Sequence, residues 1–442
     1  HGFGSHGGKQ WVVENDMVPL KKRVLVSDMH FGETKSKGGI ILVDDDGTAE
    51  GIHPRWAKVY AVGNKQEDVK VGQWILVAHG RWSRAFKIKR KEKAIKNGKL
   101  YGIGYTAVVE PSVSNMGYIT TALPYEEREK SGHKGGAIAS ASVAIGPMRG
   151  VYVTCDSLPQ GQGHKTVLAQ VVADIFGISF EIVNVNSELD TQKDPWSIAA
   201  GNYSSRFAGA VAGTTALAAK KLKTKLALIA SSRLNCKTEN LVFENNYVLD
   251  KNNIDNKIPF NRLGGNEHWS PSQVNESSKN GLQEVVQWSP QELKPPNQND
   301  QINGSLAYGF VFDVCGLEID PKTGKAKIDR YITGHDAGRI LNPLLANGQI
   351  YGAFAHGVGA ALYEEFKYNK DGSFLSGSFT DYLLPSTCEI IKPTIIHIET
   401  PSPFTPLGAK GLGEGNCMST PVAIANAASD ALGIENITLP LT

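Results

Sequence analysis

The chain is poor in cysteine: there are five in 442 residues, and none stands in a CxxC pair. Cys155, Cys236, Cys315, Cys388 and Cys417 are widely spaced, which argues against a structural zinc site or a four-cysteine iron–sulfur site within this chain. An odd, scattered set reads as reduced thiols of a cytoplasmic protein. No apolar run reaches the roughly 18 residues of a transmembrane helix. No secretory signal pattern opens the chain, and no membrane partner is expected. An excess of charge of one sign is missing as well. The 46 Lys+Arg nearly balance the 44 Asp+Glu, for a formal charge of +2, so no global field draws nucleic acid. With 41% hydrophobic and 20% charged residues the chain reads as folded, and its length suggests about two to three domains.

Residues 1–17 are rich in glycine and histidine and read as a flexible lead-in. Residues 18–88 carry short apolar or alternating runs at roughly ten-residue spacing with glycine turns, such as Arg23–Ser27, Gly39–Val43, Ala57–Gly63 and Val69–Val77, which predicts a small β-barrel or sandwich. Residues 89–100 are basic and polar with no interleaved aromatic residue, so they read as a solvated helix or linker rather than a nucleic-acid stripe. A domain boundary is expected near residue 89, followed by an α+β domain over 89–442. Within it, Gly102–Val109 alternates as a strand. Ile138–Ile145 and Gly150–Cys155 are spaced as a hairpin, and Phe180–Val185 reads as a further strand. Residues 236–303, rich in Asn, Ser, Gln and Pro, read as long loops.

Four stretches of this domain carry chemistry. The first is Gln160-Gly161-Gln162-Gly163, before a helical pattern (Val167, Leu168, Val171, Val172, Ile175, Phe176) that Gly177 stops. Free amides at a helix start bind anions, glycines admit a ligand, and two glutamines suit a heterocycle edge. A polar turn with no ligand is the plain alternative. The second is Gly201-Asn202-Tyr203-Ser204-Ser205-Arg206, before the small-residue run Ala208–Ala219. It suits a phosphate or a simple helix cap. The third is His335-Asp336-Ala337-Gly338-Arg339 with Asn342-Pro343 and a Gly/Ala-rich helix over Gly348–Leu362. The fourth is Pro406–Gly415, where Glu414 stands between two glycines. Thr420-Pro421 is expected to start the helix after it. A carboxylate lined by glycine suits a general base and equally a surface turn.

In this order, the stretches QGQGH, GNYSSR, HDAGRILNP, DYLLP, GAKGLGEGN and TPVAIANA resemble the C-terminal half of the molybdopterin-binding large subunit of the xanthine dehydrogenase, aldehyde oxidase and carbon monoxide dehydrogenase family. The resemblance implies a molybdenum cofactor held through its pterin, as the cytosine dinucleotide, with no metal ligand from the protein itself. It places Gln160, Gly161, Gln162 and Gly163 on the pterin and phosphates, Gly201, Tyr203, Ser204, Ser205 and Arg206 along the cofactor, and Lys410 and Gly413 at the pocket. Glu414 would be the base in an oxidative hydroxylation that uses metal-bound hydroxide on an aldehyde, an N-heterocycle or a carbon monoxide-type substrate. The 2Fe-2S and FAD groups would reside on partner subunits.

Residues 18–88 resemble a phage-type GroES-like co-chaperonin instead, through VPLKKRVLV, ETKSKGGIILV, IHPRWAKVYAVGN, DVKVGQWILV and HGRWSRAF. That resemblance implies a barrel that docks on a GroEL-type chaperonin through Ile40, Ile41 and Leu42, an apolar triplet on a glycine-flexed loop. The chain therefore has the look of a chimera of two unrelated modules.

Overall fold

The computed structural model describes residues 89–441 except 116, 132–138, 149, 195, 198–200 and 271–280, and, before them, residues 24–27, 34–35, 41–42, 55–62, 67 and 69–77. The chain divides into two compact units, His1–Lys96 and Asn97–Thr442. The predicted lead-in over 1–17 lies outside the described residues.

In the first unit β1 (Val24–Ser27), β4 (Arg55–Val62) and β5 (Trp74–Val77) form an antiparallel sheet of order β1-β4-β5. β2 (Thr34–Lys35) and β3 (Ile41–Leu42) form a separate pair. The expected barrel is corrected here: these strands make two separate sheets, and no closed barrel exists among the described residues. The unit ends in α1 (Lys89–Lys96).

The second unit is a mixed α/β fold with two cores. One is built on the sheet β13-β7-β8-β9. β7 (Ala139–Ile145) and β8 (Val151–Cys155) form the expected hairpin, and β8 runs parallel to β9 (Val183–Asn186) through the crossover helix α3 (His164–Phe176). Gly177 ends α3 in the left-handed conformation at φ 62°, as its position promised. The strand expected at Phe180 starts later, because Ser179 caps a single 3₁₀ turn over Phe180–Ile182. A π-helical turn, Phe207–Val211, leads into the 23-residue α4 (Ala212–Leu234), whose buried Leu222 and Leu226 join Leu168 and Phe176 in this core.

The segment expected to be loops is folded. β10 (Leu241–Glu244), β11 (Tyr247–Asp250) and β12 (Asn253–Pro259) form a meander, followed by α5 (Phe260–Trp269) and β13 (Gln283–Trp288). The β10–β11 turn is Asn245-Asn246 with φ of 51° and 65°. Two consecutive left-handed asparagines are the mark of a tight hairpin turn rather than a loop.

The other core is built on β16-β15-β14-β6, in which β6 (Leu100–Ser114) and β14 (Ser305–Ile319) are each 15 residues long. β15 (Ala326–Asp336) pairs in parallel with β16 (Thr394–His397). The preceding segment also holds α2 (Tyr125–Ser131). Two helices, α6 (Pro343–Leu362) and α7 (Gly415–Leu432), bury Phe354, Val358, Ile424 and Ala428 in this core. Glycine fixes how closely α7 lies on the sheet. A Cβ on Gly102 would stand 1.9 Å from the Ala427 carbonyl oxygen, and one on Gly104 1.9 Å from that of Ala423. Glycines two apart share a strand face and alanines four apart share a helix face, so the two backbones touch. The helix expected over Gly348–Leu362 starts earlier, at Pro343, where the Asn342 side chain caps it by accepting from the Leu345 amide.

The expected start of α7 at Thr420-Pro421 is corrected. The helix begins at Gly415, with Glu414 at its cap position, and Pro421 lies inside it. Thr420 is fully buried and serves the core, accepting the Tyr331 hydroxyl at 3.0 Å. Among the described residues no helix is long and apolar enough to cross a membrane.

Candidate cofactor cavity

The loops that carry the four sequence candidates converge on one cavity of about 310 Å³ in the second unit, a size in the range of small-molecule sites. Gln160 and Gln162 enter from the loop before α3, Asn202 and Ser205 from the turn before α4, and Arg339 and Asn342 from the loop between β15 and α6. Lys410, Gly413 and Glu414 enter from the strap that precedes α7. Val167, Phe207, Leu341, Leu345 and Leu412 supply the apolar wall. Glu414 is the one carboxylate among the described lining residues, and its side chain is exposed.

Each loop is held by a distinct device. Gly161 and Gly163 adopt φ of 100° and 83°, and the Gln160 amide donates to Oε1 of Gln162 at 2.5 Å. Ser204 and Ser205 are also left-handed, at φ 53° and 44°. That conformation is costly for a residue with a Cβ, and hydroxyl bonds hold it: Ser204 Oγ to Ser114 Oγ at 2.6 Å, and Ser205 Oγ to Glu110 Oε1 at 2.6 Å. In the strap, the Lys410 amide donates to the Ala337 carbonyl at 2.8 Å. Its ammonium lies 3.1 Å from Oδ2 of Asp336 and 2.9 Å from Thr400 Oγ1, over the Phe310 ring. Burial works to raise the Asp336 carboxyl, but bonds from Thr400, Gly338 and Lys410 outweigh it and hold the carboxyl below its ordinary range.

Not every sequence candidate lines the cavity. The structure brings Gln160, Gln162, Ser205, Lys410, Gly413 and Glu414 together in its wall; Gly161, Gly163, Gly201, Tyr203, Ser204 and Arg206 stand outside it. Tyr203 is exposed, with its ring against Gly201. Arg206 is buried and points away to Asp156: Nη2 donates to the Asp156 carbonyl at 2.8 Å and lies 3.3 Å from its carboxylate, while Nε donates to the Gly201 carbonyl at 2.6 Å. Asp156 also accepts the Ser140 and Ser197 amides and the Ser197 hydroxyl. The pair thus ties the second candidate loop to the β8 end. His164, first residue of α3, bonds Ser157 at 3.0 Å and Asn202 at 2.9 Å through Nε2 and stacks on Phe207. Burial pushes its pKa down to about 4, against the Asn202 bond, so the ring is neutral.

Sequence reasoning missed Arg339, Gln349 and Asn342 as cavity residues and Glu110 as the residue beneath it. Arg339 belongs to a noticed stretch. Glu110 had no local signal, since it sits in a plain β pattern. Of the chaperonin triplet, Ile40 lies outside the described residues, and Ile41 and Leu42 form β3, paired with Lys35 and Thr34.

The cavity has the make-up of a nucleotide-like cofactor site, with amide edges, two cations, apolar walls and one carboxylate. Residues 79–391 match the family model of the molybdopterin cofactor-binding domain. Over 336 residues the chain is 31% identical to the nicotine 6-hydroxylase large subunit of Paenarthrobacter nicotinovorans, covering 76% of this chain and 38% of the relative. It is 30% identical to the carbon monoxide dehydrogenase large chain of Afipia carboxidovorans, covering 67% of this chain and 34% of the relative. The crystal structure of quinoline 2-oxidoreductase from Pseudomonas putida 86 superposes with a TM-score of 0.65 at 27% identity, over 78% of this chain and 41% of that one. The chain belongs to the molybdopterin cofactor-binding domain family, that of the xanthine dehydrogenase and carbon monoxide dehydrogenase large subunits. It spans 34–38% of the length of the two relatives named. Residues 16–99 match a second family model, the chaperonin 10 Kd subunit, so the chain joins two modules.

Proposed function

We propose that the second unit forms the cofactor half of a molybdenum hydroxylase large subunit, with the molybdopterin as its cytosine dinucleotide. The observation that carries this reading is the single cavity that gathers the Gln160–Gln162 loop, Ser205 and the Lys410–Glu414 strap. The residues fit the group. Gln160, Gln162 and Asn202 offer donors and acceptors to a pterin edge, and Arg339 and Lys410 offer cations to phosphates. On this reading the metal is held through the pterin and takes no ligand from the protein. When bound, the cofactor supplies the redox centre that takes up electrons from the substrate.

The chain's own residues bind, orient and move a proton. The strap holds Glu414 at the cavity, where its carboxylate is the proton acceptor of an oxidative hydroxylation. The substrate is an aldehyde, an N-heterocycle or carbon monoxide, a range supported by the names of the relatives. 2Fe-2S and FAD groups on partner subunits would receive the electrons, a reading supported by relatives named as subunits of larger assemblies. The test is metal and pterin analysis of the full chain expressed in a host that makes the cofactor. Stoichiometric molybdenum with pterin fluorescence is expected; a chain that carries neither overturns the reading.

For the first unit we propose co-chaperonin-like docking on a GroEL-type ring through Ile40–Leu42, supported by the match of residues 16–99. Replacing Ile41 and Leu42 with Ser is expected to abolish capture by the chaperonin, and unchanged capture removes the proposal.

A further inference from the structure

One carboxyl group beside the cavity has no part in the function above. Glu110 lies on β6, beneath the strap that leads into α7, and is 2% exposed. Its Oε1 accepts the Ser205 hydroxyl at 2.6 Å and the Glu414 amide at 3.2 Å. Its Oε2 is buried with no hydrogen-bond partner. Glu110 thus joins two walls of the cavity, the left-handed Ser205 and the cap residue of α7. The packing leaves no slack: a Cβ on Gly411 would lie 3.2 Å from Oε1, and one on Gly415 3.1 Å from Oε2.

The groups around Glu110 decide its charge. From α7 it meets the carboxylate of Glu414 and the thiol of Cys417. From β15 the His335 ring packs against Gly415, kept neutral by burial and bonded to Asn416. Of the cations of the region, Lys410 pairs with Asp336 and Arg206 with Asp156, while Arg339 lines the cavity wall with Glu414. Burial raises the Glu110 carboxyl; the donors Ser205, Glu414 N–H and Gly415 N–H oppose, and the Glu414 charge raises it further. An unpaired neutral hydroxyl costs less to bury than an unpaired charge.

We propose that Glu110 is a positioning residue, a neutral carboxyl protonated on Oε2, that ties the Ser205 hydroxyl to the Glu414 backbone and fixes where Glu414 enters the cavity. Its catalytic meaning rests on the cofactor reading above; its protonation and its clamp do not. As an acid it keeps one oxygen free to accept both donors and adds no second negative charge beside the base.

The test uses the full chain, without cofactor. Infrared difference spectra at neutral pH are expected to show a protonated-carboxyl band that E110Q removes and E414Q keeps. Amide exchange over residues 410–418 is expected to rise at least tenfold in E110A and to return to the parental rate in E110Q, which keeps an acceptor at Oε1. No band lost in E110Q, or exchange in E110Q as fast as in E110A, overturns the proposal. In the molybdenum-loaded complex, E110A is expected to move the acid limb of the kcat/KM profile, which loss of global stability alone does not do. A chain that never loads molybdenum refutes the cofactor reading, and the band and the exchange rates still decide the role of Glu110.

Discussion

Cδ1 of Leu345, in the first turn of α6, stands 2.6 Å from the point where a Cβ on Gly163 would sit. Gly163 is left-handed at φ 83° and caps α3, while Leu345 lines the cavity. Gly163→Ala therefore adds a strained backbone, about 1–2 kcal/mol, and presses on a side chain that lines the cavity. Gly161→Ala carries similar strain at φ 100° but meets nothing within 4 Å. Both variants are expected to unfold earlier in urea. Molybdenum and pterin content are expected to fall much further in Gly163→Ala. Equal content in the two variants refutes the wall contact.

The Asp156–Arg206 pair gives a sharper stability test. The side chains are 0% and 1% exposed and 3.3 Å apart. Removing one partner of a buried pair typically costs about 3–5 kcal/mol, because the other charge is stranded. Arg206→Ala is expected to lose stability on that order in chemical denaturation. Arg206→Lys is expected to recover little, since one ammonium cannot reach both the Gly201 carbonyl and Asp156 as the guanidinium does. A loss under about 1 kcal/mol in Arg206→Ala would contradict the assigned role.

Much of this arrangement is legible in the sequence. The α3 pattern with Gly177 and the β7–β8 hairpin are local signals, each decided within a few residues. What escaped is long-range. Thr420-Pro421 looks like a helix start, but Thr420 is taken up by Tyr331, 89 residues away, and the helix extends back to Gly415. The polar composition of 236–303 hid a hairpin turn at Asn245-Asn246. Arg206 suggested phosphate because its partner, Asp156, lies 50 residues earlier in the chain. Glu110 is invisible for the same reason, since Ser205 and Glu414 reach it from 95 and 304 residues away. The first strands match a co-chaperonin pattern, yet their pairing depends on partners that pattern alone does not fix.

His164 predicts a pH dependence. Its folded pKa, near 4, lies below the ordinary 6.5 because burial disfavours the imidazolium. The unfolded chain binds the proton more readily, so the contribution of His164 is fully present above pH 6.5 and is lost as pH falls toward 4. The full shift corresponds to about 3 kcal/mol. His164→Gln is expected to flatten the fall in unfolding free energy between pH 7 and pH 5, read from urea denaturation, by about 2 kcal/mol relative to the parent. An identical pH dependence in parent and variant would mean that the folded ring takes up a proton as readily as the unfolded one.

Glu414 carries the strongest prediction. Its backbone is fixed twice, as the cap residue of α7 and by the bond from its amide to Glu110, while its side chain is exposed at the cavity. Gln in its place keeps the shape and the backbone contacts and removes the proton acceptor. A general base is typically worth about 10²- to 10⁴-fold in rate. Glu414→Gln is therefore expected to leave molybdenum and pterin content unchanged and to lower turnover by at least about a hundredfold in the assembled complex. Glu364 and Glu365 are the controls. Glu364 accepts the Tyr382 hydroxyl at 2.7 Å and Glu365 pairs with Lys367 at 3.0 Å, both outside the cavity wall. Their Gln variants are expected to keep near-parental rates. Normal turnover by Glu414→Gln would make the Gly-Glu-Gly turn a purely structural cap and remove the proton acceptor from the proposed function.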